Sequence, residues 1–371
     1  MVAGIASFLV AAAVCAWAAQ PAPERTYYVY VCAESEDEVA LVRYGPSGAE
    51  VLKTIPVGSF PADIEGPHGI GVSPDGRHWY VSISHGFPFG SVHKFETGTD
   101  EWVADVTLGM FPASLDISPT TNLLYVVNFN LYGAMEPSTI SVVETDTMTE
   151  IARVPTGIMP HGSRLSRDGK RHYSVNMMVD DLVELDALTF EIARRLPLSE
   201  AGAAIAHSPP GEHPHDPSHL VQPTWATRPT SQGYVYVAAN NADKIFEIDL
   251  AQWKVRRTLS TWRGPYNLDV TTDGRTLVAT YKKGAAIGFW DLESGAELAR
   301  LDTTRTLPHG VVITPDSQYA FVTNEGVKDE PGTVEVYHIP THARVATVEI
   351  GKQAGGIAFW KMEAPGDRNR R

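Results

Sequence analysis

The sequence predicts an all-β fold, a seven-bladed β-propeller of four-stranded antiparallel blades. Three observations predict it: a strand signature that recurs seven times, polar hairpin turns at matching places between apolar runs, and chain ends that each carry only part of a repeat. The signature reads YVCA at Tyr30, YVSI at Tyr80, YVVN at Tyr125, YSVN at Tyr173, YVAA at Tyr236, LVAT at Leu277 and FVTN at Phe321. Most intervals are about 40–50 residues, the length of one propeller blade. The interval from Tyr173 to Tyr236 is the longest.

Each repeat then follows one order. A Pro-x-Gly-like entry leads into an apolar strand, as in "GPHGIGVSPDGRHWYVS" from Gly66 to Ser82. Turns such as SPDG, SRDG and TTDG follow, where Gly or Asp supplies the positive φ that a tight hairpin needs. After the signature strand come a polar loop, a third strand such as DLVELDA or KIFEIDL, and a fourth such as KVRRTLST or ELARLDTT. Alternating apolar residues bounded by turn formers are half-buried strand signals. The segment AGGIAFWKM from Ala354 supplies a single strand, and the first copy, at Tyr30, lacks that strand. The N-terminal strands are therefore expected to join the C-terminal strand and close the ring, which removes the exposed sheet edges of an open array. Blades are expected to begin near Pro67, Pro112, Pro160, Pro223, Pro265, Pro308 and Ala354.

Residues 1–19 read as a signal peptide: Val2 to Ala19 carry no charge, and Ala16-Trp17-Ala18 is a small-x-small cleavage pattern. Residues 20–371 form a single propeller domain, with a His/Pro-rich insertion at about 197–222 between blades 3 and 4. This places the mature chain in the periplasm or outside the cell, where a monomer with no membrane span is expected. Cleavage would leave Cys32 as its one cysteine, so no internal disulfide is expected. A net charge of −14 argues against nucleic acid and anionic lipid as partners. No Cys-x-x-Cys-His attaches a c-type haem, and no Gly-rich phosphate loop binds a nucleotide.

The stretches PDGRHWYVS, DGKRHYSVN and SQYAFVTN resemble the YVTN-type β-propeller repeat, over nearly the whole mature chain. The resemblance implies the seven-bladed fold. Among its relatives it implies secreted propellers, lactonases, haem d1-binding propellers and the copper-binding propeller of nitrous oxide reductase, and it does not choose among them.

Function is expected where the entry tripeptide varies. The residue after the entry Pro rings one mouth of the axial channel and reads His68, Ala113, His161, Thr224, Tyr266 and His309, with Gly355 in the closing blade. His68, His161 and His309 should point into one funnel, joined by His85 and by His215 from the insertion. Neutral imidazoles suit a transition metal, Cu or Zn. Arg164, Tyr266, Asn128 and Asn324 are candidate ligand contacts near the same mouth. Three functions stay open: a metal site with redox or hydrolytic chemistry, which if redox makes the chain a metal-dependent oxidoreductase; a noncatalytic module that receives a small molecule, protein, peptide or glycan at the channel mouth; and a lactonase- or lyase-like enzyme working through a channel His/Asp pair.

Overall fold

A computed structural model describes residues 22–60, 62–206 and 220–365. The described residues form 28 strands in seven four-stranded antiparallel sheets, with one short α-helix, α1 (Glu200–Ala206), in the insertion. The ring closes as the repeats require. Strand β28 (Ala354–Glu363) pairs antiparallel with β1 (Thr26–Ala33), which is followed in the sheet by β2 (Glu38–Gly45) and β3 (Gly48–Pro56). Residues 1–19, read as the signal peptide, and His215 lie outside the described residues.

The inner strands are β4 (Pro67–Val72), β8 (Pro112–Ile117), β12 (Pro160–Leu165), β16 (Pro223–Ala226), β20 (Pro265–Val270) and β24 (Leu307–Ile313), with β28 as the seventh. Five of the seven begin on their repeat's Pro, and β28 begins on Ala354. Third strands such as Asp181–Asp186 are buried almost throughout, whereas fourth strands such as Ala296–Asp302 alternate exposed and half-buried residues. The core therefore lies between blades. Tyr30 of β1 stacks on Trp79 at 5.1 Å between ring centroids, and Trp79 stacks on Phe95 at 4.1 Å.

One register differs from the sequence reading. In blade 5, Pro265 pairs with Tyr281, as Pro67 pairs with Ile83 and Pro308 with Asn324. The equivalent of Tyr80 and Phe321 is thus Val278, not Leu277. Leu277 and Val278 are both apolar and fully buried, so hydrophobicity alone does not fix the frame.

The entry tripeptide has a structural cause. Each of the six complete blades has a register shift just after its entry Pro, between Pro67 and Ile70 in blade 1 and between Pro308 and Val311 in blade 6. The shift is a bulge that turns the strand where it meets the next blade. There the Gly position touches neighbouring backbone: a Cβ on Gly69 would lie 1.8 Å from the Ala113 carbonyl oxygen, and one on Gly356 would lie 2.1 Å from that of His68. A second-strand hydroxyl stitches the joint. Thr323 Oγ1 accepts the Gly310 N–H at 2.8 Å and donates to the Gly355 carbonyl of the next blade at 2.6 Å. Ser82 and Thr280 repeat the device, donating to the Ala113 and His309 carbonyls at 3.1 and 3.0 Å.

Candidate functional site

Two rings of residues converge on the channel mouth. The first is the position after the entry Pro, which supplies His68, His161, Tyr266 and His309. The second is the residue that follows the last signature residue. Pairing with the entry Pro places Ala33, Ile83, Asn128, Asn176, Ala239, Tyr281 and Asn324 as equivalents. The next residue in five blades, Glu34, Phe129, Met177, Lys282 and Glu325, lines a cavity of 190 Å³ together with the first ring.

The three histidines come together. His68 lies 6.0 Å from His161 and 5.6 Å from His309 between ring centroids. Tyr266 completes the circle, 5.5 Å from His161 and 4.8 Å from His309. His161 and His309 are 2% and 4% exposed. Burial lowers the His161 pKa to about 3. Burial, with Lys282, lowers that of His309 well below the ordinary value. Both are neutral imidazoles at physiological pH.

Hydrogen bonds fix the tautomer of His161. His161 Nδ1 lies 2.9 Å from the Thr224 carbonyl, which can only accept, so Nδ1 carries the proton. Its Nε2 then holds a bare lone pair, to which the Tyr266 hydroxyl donates at 3.1 Å. His68 Nδ1 donates to Glu34 Oε2 at 3.0 Å. Its Nε2 has no hydrogen bond among the described residues. Glu34 is buried, and its other oxygen, Oε1, accepts from His85 Nε2 at 2.7 Å. Burial alone would push the Glu34 carboxyl up, but His68 and His85 together outweigh it and hold it well below the usual carboxylate range. On the far wall, Lys282 pairs with Glu325 at 2.7 Å and lies 4.5 Å from the Tyr266 ring centroid. The Tyr266 hydroxyl is pushed well up by burial and by the Glu325 and Glu34 carboxylates, so it stays protonated.

The other sequence candidates fall elsewhere. Asn128 is fully enclosed in its blade: it accepts the Gly109 N–H and donates to Thr139 and Ser141. Asn324 is likewise buried and donates to Thr333 at 3.2 Å. Side chains alternate along a strand. The residue after each Asn, Phe129 or Glu325, is the one that reaches the cavity. Arg164 sits deeper in the channel, its guanidinium 4.8 Å from the Trp225 ring centroid. It forms no ion pair with Asp116, which binds Arg228 at 2.6 Å. Glu34, Lys282 and Glu325 escaped the sequence reading. Their signal was positional, one residue past the repeated signature, and blade 5 needed the corrected register before Lys282 came into line.

The donor set suits a transition metal in chemistry: three imidazoles, two of them with Nδ1 anchored to a carboxylate or carbonyl. His309 Nδ1 is buried without a hydrogen-bond partner. As the side chains stand, no three His, Cys, Asp or Glu groups among the described residues are close enough to hold one ion. Coordination needs the rings to draw in and His161 Nε2 to leave Tyr266.

Beside the cavity, Phe111 and Tyr132 pack at 5.5 Å, and exposed Phe60, Phe87 and Phe89 lie on neighbouring loops. Among the described residues, no helix is long and apolar enough to cross a membrane.

No protein-family model matches the chain. No curated protein matches it in sequence. Solved structures do match. Hydrazine synthase of Kuenenia stuttgartiensis superimposes with a TM-score of 0.63 at 17% identity, over 81% of this chain and 93% of that one. A functionally unknown protein from Desulfotomaculum acetoxidans superimposes with a TM-score of 0.68 at 13% identity, over 90% of this chain and 98% of that one. At such identities the likeness is one of fold, and the chain is a seven-bladed β-propeller.

Proposed function

We propose that the chain is a secreted or periplasmic propeller of the YVTN type whose channel mouth binds a transition-metal ion, Cu or Zn, through His68, His161 and His309. One observation carries this reading: His161 spends Nδ1 on the Thr224 carbonyl and keeps Nε2 as a lone-pair donor, while His68 is anchored through Nδ1 on Glu34 with no hydrogen bond at Nε2 among the described residues. Metal-bound histidines are held in this way, with the outer nitrogen fixed by a carboxylate or carbonyl. Glu34 would orient His68 and raise its basicity. A bound ion would supply Lewis-acid chemistry if Zn and electron transfer if Cu. Around it, Tyr266 offers a protonated hydroxyl, and the Lys282–Glu325 pair sets one wall for a polar substrate.

The test is metal content. The protein is purified after metal-replete expression and its bound metals are measured by elemental mass spectrometry. About one Cu or Zn per chain is expected, lost in His68→Ala, His161→Ala and His309→Ala. Glu34→Gln should weaken metal binding by about 10–100-fold. Metal-free wild-type protein would overturn the reading. The exposed Phe60, Phe87 and Phe89 beside the mouth support a second reading, a noncatalytic mouth that receives an apolar partner surface. A metal-free wild type that still loses partner binding on Phe87→Ser would favour it.

A further inference from the structure

Beyond the histidine layer the channel holds a second, smaller void of 30 Å³, walled by His68 and His309 and, further along the inner strands, by Arg164, Trp225 and Asn267. Its lining is short of partners. Trp225 Nε1, Asn267 Oδ1 and His309 Nδ1 are buried with no hydrogen bond. Trp225, Asn267 and His309 are 8%, 3% and 4% exposed, so bulk water does not satisfy them. Each orphaned buried group of this kind carries a desolvation cost.

Arg164 is the cation in this layer without a direct ion-pair contact, although the Asp116 and Asp269 carboxylates lie near enough to favour its charge. Its hydrogen bond goes to the Ser163 carbonyl at 2.8 Å, a neutral acceptor, and it forms no ion pair among the described residues. Two carboxylates share the layer, and both are occupied. Asp116 takes Arg228 at 2.6 Å and the Leu165 N–H at 2.8 Å. Asp269 accepts the N–H groups of Val270 and Ile313, each at 2.9 Å. The unspent donors are the Arg164 guanidinium and the Trp225 indole N–H, set against one another with 4.8 Å between guanidinium carbon and ring centroid. The Asn267 amide can add a third, since exchanging its O and N turns an orphaned acceptor into a donor.

We propose that this void is a binding site for one small monovalent anion, a halide or a triatomic oxyanion such as nitrite, seated on Arg164 and Trp225. A void of 30 Å³ has room for one or two water-sized groups and excludes sulfate and phosphate. The anion gives the half-buried guanidinium a direct partner and satisfies the indole N–H at once. The site is separate from the metal reading, because its donors are not the histidine nitrogens turned to the mouth.

The experiment uses the protein as purified. Crystals soaked in sodium bromide are measured at the bromine absorption edge. An anomalous peak is expected within hydrogen-bond reach of Arg164 and Trp225 Nε1. In solution, bromide or nitrite should raise the melting temperature saturably at an ionic strength held constant with sodium gluconate, whose anion is too large for the void. Trp225→Phe keeps the ring and removes the N–H, and should weaken the apparent affinity about tenfold. Arg164→Gln should abolish the saturable shift and the peak. Water alone in the void, or an unchanged bromide response in both variants, would overturn the proposal, and Trp225→Phe alone decides it if Arg164→Gln does not fold. Bromide seen only among the histidines would likewise sink it while leaving the metal site open.

Discussion

His172 shows what a single buried ring costs this fold. It is fully buried, stacks on Tyr125 at 5.2 Å, and neither ring nitrogen has a hydrogen-bond partner. Burial lowers its pKa from 6.5 to about 4. The unfolded chain therefore takes up a proton near pH 6.5 that the folded chain refuses until about pH 4. Over that window the unfolded state binds more protons, so stability falls as the pH drops through it. The strand pairing makes Leu124 and Leu277 the equivalents of His172 in blades 2 and 5. His172→Leu should thus be tolerated at pH 8, with a change within about 1 kcal/mol. At pH 4.5 it should exceed the wild type by about 2 kcal/mol more. Urea midpoints at the two pH values check this, and parallel pH profiles for both proteins would refute it. In the sequence His172 follows the hairpin turn DGKR, on the opposite face from the channel histidines. The sequence could not show that the ring is unpartnered, because that depends on the blade packed against it.

Adjacent residues of one strand separate the repeat's grammar from its variable letter. In β28, a Cβ on Gly355 would meet nothing closer than Glu34 Oε2 at 3.6 Å, an ordinary contact. A Cβ on Gly356 would lie 2.1 Å from the His68 carbonyl oxygen, which is backbone and cannot swing away. Gly355→Ala should therefore change stability by less than about 0.5 kcal/mol. Gly356→Ala should cost more than about 3 kcal/mol, since overpacking here must move a neighbouring strand. Equal urea midpoints for the two variants would contradict this. The Pro and Gly of the tripeptide were legible in sequence because close approach of inner strands recurs in every blade. The middle position was legible as the first ring, and His68, His161, Tyr266 and His309 stand together there. The second ring was not. Its residues, from Glu34 to Phe129 to Lys282, share no chemistry, and only the pairing register shows them to be equivalents. Asn128 and Asn324 drew notice instead because they do recur, and they recur because they hold loops within their blades.

Closure is the one property that no single blade can supply. β28 is the inner strand of the last blade and pairs with β1 from Thr26↔Glu363 to Ala33↔Ala354. It also carries Trp360, which packs on Tyr28 and Tyr30 at 5.9 and 5.5 Å and donates to the Gly76 carbonyl at 3.2 Å in the hairpin of blade 1. A chain ending at Gln353 would lose all of this. β1 would become an unpaired edge, and the inner strands β4 and β24 would lose the neighbour between them. Such an edge invites pairing with other chains. The truncated chain should lose its cooperative thermal transition and aggregate. A circular permutant keeps every contact and changes only the order. Thr26 faces Glu363 across the sheet, so a short hairpin can join the two ends, with new termini in the loop before Pro67. That chain should retain a single transition within a few degrees of the wild type, since termini in exposed loops are well tolerated. Calorimetry on the pair isolates closure from composition: if the truncated chain melts cooperatively at the wild-type temperature, the ring does not depend on its last strand.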